Sequence, residues 1–174
     1  TIGNGALNST LAVGGGETLT LCGDLSGTGT VTLKDGATLA LGNHTLDNAV
    51  ALEGSATIGG GAFNSDLTVY GGNKLTLGGN LTGGGNISLA SGATLELAGH
   101  TLGNTVTLNG YATIGSGTIA GDLTLAESVY YTWPNGGLEI KGRVVLKNNA
   151  ELNLGNQAVS NQIILDGNRT YIGN

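Results

Sequence analysis

The chain has 174 residues, of which 34 are glycine, 18 asparagine and only one proline, and it carries a net charge of −6. Glycine without a three-residue period and almost without proline excludes a collagen triple helix, and 39% hydrophobic content is too high for a disordered tail. No apolar run reaches the ~20 residues of a membrane helix, and six Lys plus Arg residues leave no basic footprint for nucleic acid or anionic lipid.

The chain opens on TIGNGALNSTLAVGG, with neither a methionine nor a charged and apolar leader. This opening returns at Thr57 as TIGGGAFNSDLTVYG, and residues 1–56 align with 57–112 without a gap at 32 identical positions. A more divergent third copy, 113–169, starts TIGSGTIAGDLTL and needs one extra residue within YYTWPNGG. The closing TYIGN reads as the start of a fourth copy, so the expectation is a single segment excised from a longer repeat array.

Within each copy the apolar residues come in i, i+2 pairs, which place both side chains on one side of a strand. The first column runs Leu11/Val13, Val31/Leu33, Val50/Leu52, Leu67/Val69, Ile87/Leu89, Val106/Leu108, Leu123/Leu125, Val144/Leu146 and Ile163/Leu165, in three unequal steps per copy. A second column holds Leu19/Leu21, Leu39/Leu41, Ile58, Leu75/Leu77, Leu95/Leu97, Ile114, Leu152/Leu154 and Ile172. The third holds Leu25, Leu46, Phe63, Leu81, Leu102, Ile119, Leu138 and Val159. Three inward clusters per roughly 17–20 residues predict an all-β, single-stranded, right-handed parallel β-helix (a β-solenoid) of about nine three-sided coils. The uneven coils disfavour the stricter turn of left-handed hexapeptide solenoids. Gly and Asn fill the corners, where positive φ is needed, and the recurrence of Asn48, Asn104 and Asn161 predicts a buried or semi-buried amide ladder.

The V-x-L and TL-x-L pairs, the segments DGATLALGN and SGATLELAG and the Gly/Asn/Thr-rich turns resemble passenger regions of bacterial autotransporters and filamentous-haemagglutinin-type adhesins, over residues 1–167. That resemblance implies an extracellular protein of the bacterial cell surface or outer membrane, serving as a non-catalytic stalk or adhesive passenger. It implies no residue-level site.

The chemistry-bearing residues do not converge. His44 and His100 occupy equivalent places three coils, roughly 14 Å, apart, too far to share a metal ion, and Gln157 takes that place in the third copy. Asp66 and Asp122 recur with Thr10 at one corner, where a side-chain oxygen suits a turn; one Asp per copy is too sparse for calcium. Lys34, Lys74, Lys141, Arg143, Lys147 and Arg169 are scattered, and the GGG runs at 14–16, 59–61 and 83–85 lack the Lys-Ser/Thr of a phosphate loop. Cys22 stands where the second copy has Gly78, and the sequons at Asn8, Asn43, Asn80, Asn86 and Asn168 follow from an Asn- and Thr-rich composition. No cofactor, metal or catalytic residue is expected. The sequence supports no enzyme.

Tyr130, Tyr131 and Trp133 are the one ligand-stacking candidate. If the extra residue follows Trp133, then Tyr131 and Trp133 replace Leu75 and Leu77 and face the interior; if it precedes, Trp133 faces solvent. The uncharged outward file Ala12, Thr32, Ala51, Thr68, Ser88, Thr107, Thr124, Val145 and Ile164 offers a surface for self-association or for packing on a partner or another part of the parent protein, and a host-surface glycan or protein is the other expected partner. A carbohydrate-binding or carbohydrate-cleaving β-helix is the alternative function, and an ice-binding solenoid the second.

Overall fold

A computed structural model describes residues 1–134, 136–155 and 161–173. Every described strand pairs in parallel and no helix interrupts them. The chain is a parallel β-solenoid of about eight turns.

Three faces build the coil. The first holds Leu11–Val13, Thr30–Leu33 and Ala49–Leu52 in one ladder. A second ladder on that face runs from Leu67–Val69 to Ile163–Leu165 in six strands. The second face runs from Thr18–Thr20 to Thr113–Ile114 in six strands and then through Tyr130–Thr132, Glu151–Asn153 and Tyr171–Gly173. The third face is one eight-stranded ladder from Gly5–Ala6 to Leu138–Ile140. The first face thus has nine levels, and the eight steps between them set the count of turns.

The first column lies in register as expected, with Leu67, Ile87, Val106, Leu123, Val144 and Ile163 stacked one above another. On the second face Leu75, Leu95 and Ile114 form one file, and Leu95 is fully buried. Ala37, Ala56, Ala93 and Ala150, absent from the apolar columns read in the sequence, are also buried. They stand two positions before a core residue in ATL, ATI and AEL segments, where the strand enters its face.

The third column is broken by two slips into three staggered runs rather than one file. Phe63 pairs with Leu46, yet it is Gly61, two positions earlier, that pairs with Leu81. The same slip recurs at the third copy, where Ile119 pairs with Leu102 and Gly117 with Leu138. A shift by two keeps every inward side chain inward. Glycine is required there, because a Cβ on Gly61 would sit 2.4 Å from the His44 carbonyl oxygen and 2.7 Å from Leu41 Cβ. Val159, the next member of this column, lies outside the described residues.

Asn48 and Asn104 are buried and Asn161 is half-buried, and the three form no ladder among themselves. Asn48 Nδ2 donates to the carbonyls of Leu7 (2.9 Å), Gly27 (3.2 Å) and Gly29 (3.0 Å), so one amide ties together main chain from the two preceding coils. Asn104 Nδ2 repeats this with Phe63 (2.8 Å) and Gly85 (3.0 Å), and Asn161 with Ile140 and Gly142. Equivalent asparagines are three coils apart, which is why they bond to main chain and not to one another. Gly29 and Gly85 leave the approach open, since a Cβ would lie 2.2 Å and 2.0 Å from the Ser9 and Ser65 carbonyl oxygens.

This packing can be tested at two places. Leu95→Asp puts a carboxylate among stacked aliphatics and should cost several kcal/mol, whereas Thr68→Asp, at an exposed position of the outward file, should stay within roughly 0.5 kcal/mol. Urea unfolding of the two variants tests the register, and equal losses would refute it. Thr107, on the same outward file, is less suitable as the control, because it is half-buried and its Oγ1 donates to Asn86 Oδ1 at 3.0 Å. Asn104→Asp removes both donors and faces a carboxylate with carbonyl oxygens. Its folded pKa should rise above the unfolded value of about 3.9, so the destabilisation should be smallest below about pH 4 and deepen as pH rises. A pH-independent cost would show that Asn104 contributes shape alone.

Candidate functional site

The polar side chains divide into those that serve the coil and those that remain available. Short acceptors at the corners take the main-chain N–H of the next coil. Asp66 Oδ1 accepts from Asn86 N and Asp122 Oδ1 from Arg143 N, both at 2.8 Å, which is the turn role expected of them. The same device uses Asp24 for Thr45 N (2.8 Å), Asp35 for Ser55 N (2.9 Å), Asn64 for Gly84 N (3.1 Å) and Asn80 for Thr101 N (2.9 Å). Asp24 and Asn80 occupy equivalent places in the first two copies. The oxygen is therefore what the position needs, and the charge is incidental.

Three of the six basic residues bridge neighbouring levels instead of standing scattered. Lys34 pairs with Glu53, Lys147 with Asp166 and Arg143 with Asp122, each partner one coil away, and Lys141 lies 3.6 Å from Glu139. These are exposed pairs worth at most about 1 kcal/mol each. Arg143 donates to Asp122 through Nε at 3.0 Å, and these side-chain bonds hold the Asp122 carboxyl below its ordinary value despite partial burial.

His44 and His100 each close a turn through the main chain, His44 N to the Leu41 carbonyl (2.9 Å) and His100 N to that of Leu97 (2.8 Å). His44 Nδ1 lies 3.9 Å from Asp24 Oδ1, but His100 has Asn80 at that place. Gln157 lies outside the described residues. Among the described residues, no three His, Cys, Asp or Glu side chains gather around a common point. Cys22 is exposed, and its N–H bonds to the Ile2 carbonyl as Gly78 N–H bonds to Ile58.

The aromatic candidates separate. Tyr131 pairs with Leu152 and is buried to 4% exposure, and Trp133 is buried to 6% with Nε1 donating to the Leu138 carbonyl at 3.3 Å. Both replace leucines of the second column, so the extra residue of the third copy follows Trp133. A stacking site built on Tyr131 and Trp133 is thereby corrected: neither ring can meet a ligand. Burial pushes the Tyr131 hydroxyl far above its ordinary pKa, and no partner for it is found among the described residues.

Tyr130 points outward, and the sequence reading missed its neighbours. Its ring lies 6.3 Å from that of Tyr111, at 51°. Its hydroxyl accepts from Thr132 Oγ1 (3.1 Å) and Asn153 Nδ2 (3.2 Å), which favours the phenolate and lowers its pKa. Tyr130, Glu151 and Tyr171 follow one another in register along the second face. Only the coil register reveals this file, since Tyr111 and Tyr171 are three coils apart along the chain.

The second face also carries a file of threonines that went unread. Thr18, Thr38, Thr57 and Thr76 stack in register, followed by Glu96. The adjacent positions are Thr20, Ala40 and Gly59. The regular pair of threonine files wanted for ice binding is not formed there, for the companion file shrinks to Ala and Gly. No family model, curated protein or solved structure matches the chain.

Tyr131→Phe deletes an unpartnered buried hydroxyl and should leave stability unchanged or raise it by up to about 1 kcal/mol, as read by thermal unfolding. A loss above about 1 kcal/mol would mean the hydroxyl is bonded in solution. Asp122→Asn keeps the acceptor for Arg143 N and loses the ion pair. Because the folded carboxyl titrates below 3.8, its stabilisation is present above that pH and is lost as pH falls through the folded value. The variant should therefore approach the parent as pH falls through the folded value, fall short by less than about 1 kcal/mol at pH 7, and show a flatter acid limb.

Proposed function

We propose that this solenoid is a non-catalytic structural segment, a stalk or adhesive passenger, of a bacterial cell-surface or secreted protein. The observation that carries the reading is the axial continuity of the backbone pairing. The third face is one eight-stranded parallel ladder, and the other two are ladders of six and three strands. Inter-coil bonds lie along the rod, so tension on its ends loads whole ladders of bonds, and the buried apolar files leave few internal sites to a protease. The likeness of the repeats to autotransporter passengers and filamentous-haemagglutinin-type adhesins supports the same reading. The partner would be a host-surface glycan or protein.

The reading has a mechanical and a cellular test. Pulled from one end in an atomic-force experiment, the rod should release one coil at a time. Each event should add about 19 residues, or roughly 65 Å of contour length. On intact cells of the source organism, antibody against the folded rod should label the surface, and protease shaving should abolish the label. Exclusively cytoplasmic labelling would overturn the proposal.

A further inference from the structure

The outward-facing tyrosines of this rod lie along one edge. Tyr70 and Tyr111 lie in turns joining the first face to the second, and Tyr130 and Tyr171 are the first residues of their strands on the second face. Tyr111 is 68% exposed and Tyr171 60%. The fifth tyrosine, Tyr131, is in the core.

Four residues of this edge stand on successive levels. Tyr111 meets Tyr130 ring to ring, Tyr130 is in register with Glu151, and Glu151 with Tyr171. They climb one level at a time, so the strip is three steps, or roughly 14 Å, long and parallel to the rod axis. Tyr130 is held in place by the bonds to its hydroxyl from Thr132 and Asn153. Tyr171 leans along its strand over Gly173, where a Cβ would sit 2.9 Å from its Cε1 atom, so the ring lies along the face instead of standing away from it. Large apolar rings kept in water at successive levels cost solvation, and nothing in the coil requires them: the first copy has Ser55 where the second has Tyr111, and the second has Lys74 where the third has Tyr130.

We propose that the Tyr111–Tyr130–Glu151–Tyr171 strip binds a neutral, extended glycan lying parallel to the rod axis. The ladder spacing of ~4.8 Å is close to the length of one sugar residue in an extended β-linked chain, so successive levels meet successive sugars. Tyrosine rings present flat apolar faces to the axial C–H groups of a pyranose, and the Glu151 carboxylate between them accepts from sugar hydroxyls. The charge favours a neutral sugar over an acidic one: Glu151 stands inside the strip and the chain carries −6 overall. A helical α-linked glucan would curve away from so straight a file.

The inference is independent of the mechanical role, since a rod can be stiff without this edge and the edge can bind without bearing load. The test is titration of the folded chain with β-linked gluco- and xylo-oligosaccharides, from disaccharide to hexasaccharide, with saturation-transfer NMR from the tyrosine ring protons. Affinity should rise from the disaccharide to the tetrasaccharide and then level, because four levels are available. Tyr111→Ala combined with Tyr171→Ala should weaken the tetrasaccharide at least tenfold while circular dichroism and Tm stay native, and Tyr70→Ala should leave binding unchanged. If the double variant loses its native Tm, saturation transfer to the unmodified chain decides instead, and sugar signals arising from other protons overturn the proposal. So would a lack of saturable binding to any neutral oligosaccharide, tighter binding of an acidic glycan, or unchanged binding in the natively folded double variant.

Discussion

Parallel stacking of each coil on the one before it is the constraint from which the rest of the molecule follows. At ~4.8 Å between levels, a side chain has its counterpart one coil away as its nearest neighbour, and like must sit on like. An aliphatic residue on an inward position gains dispersion contacts above and below, as Leu95 does between Leu75 and Ile114. A charge at the same place would be held between two hydrocarbon layers. The inward files are therefore Leu, Val and Ile almost without exception, and polar groups are pushed to the corners and outer faces.

The corners are where stacking has to be reconciled with bending. Turning the chain at each corner takes main-chain N–H and carbonyl groups out of the ladders, and each must find a partner. Two solutions recur. An Asp or Asn oxygen on one level accepts the N–H of the next, as Asp66 does for Asn86 and Asn80 for Thr101. A buried asparagine amide donates to freed carbonyls one and two levels down, as Asn48 and Asn104 do. The first solution tolerates exchange of Asp for Asn because only an acceptor is needed. The second does not, since only an uncharged amide donates two hydrogens. This explains why the recurring acidic residues, read from the sequence as suited to turns, act as turn fittings in three dimensions.

The fold was legible because its signal is periodic. Pairs of apolar residues recurring once per coil locate the first face to the residue, and the inward files come out of the sequence almost whole. The alignment of the copies locates the extra residue in the third, but only a register observed in space can place it after Trp133. Less was legible wherever the relevant neighbour is a coil away. The two-position slip at Gly61 and Gly117 depends on which backbone atoms approach a missing Cβ. The pairing of Lys34 with Glu53 and of Arg143 with Asp122 needs the level spacing, so the basic residues read as scattered. The tyrosine file was hidden for the same reason: its members are consecutive along the rod but a full coil apart along the chain.

The third copy shows how the rod accommodates change without losing its stacking. Tyr131 and Trp133 stand where the second copy has Leu75 and Leu77, and two large rings cannot enter a coil drawn for leucine at unchanged circumference. The coil is longer by a single residue, so the first-face step from Leu123 to Val144 exceeds the equivalent step from Leu67 to Ile87. The gain is placed after the rings, so their strand keeps its inward parity and Tyr131 still stacks against Leu152. The indole N–H, which leucine did not bring, finds the Leu138 carbonyl at the start of the next strand. The tyrosine hydroxyl finds no such partner among the described residues, and of the two substitutions it is the less completely accommodated. Outward on the same strand Tyr130 replaces Lys74, so the enlarged core rings and a member of the aromatic edge occur in one coil. A solenoid can vary its inside and its outside together at a single level because each coil meets only its two neighbours.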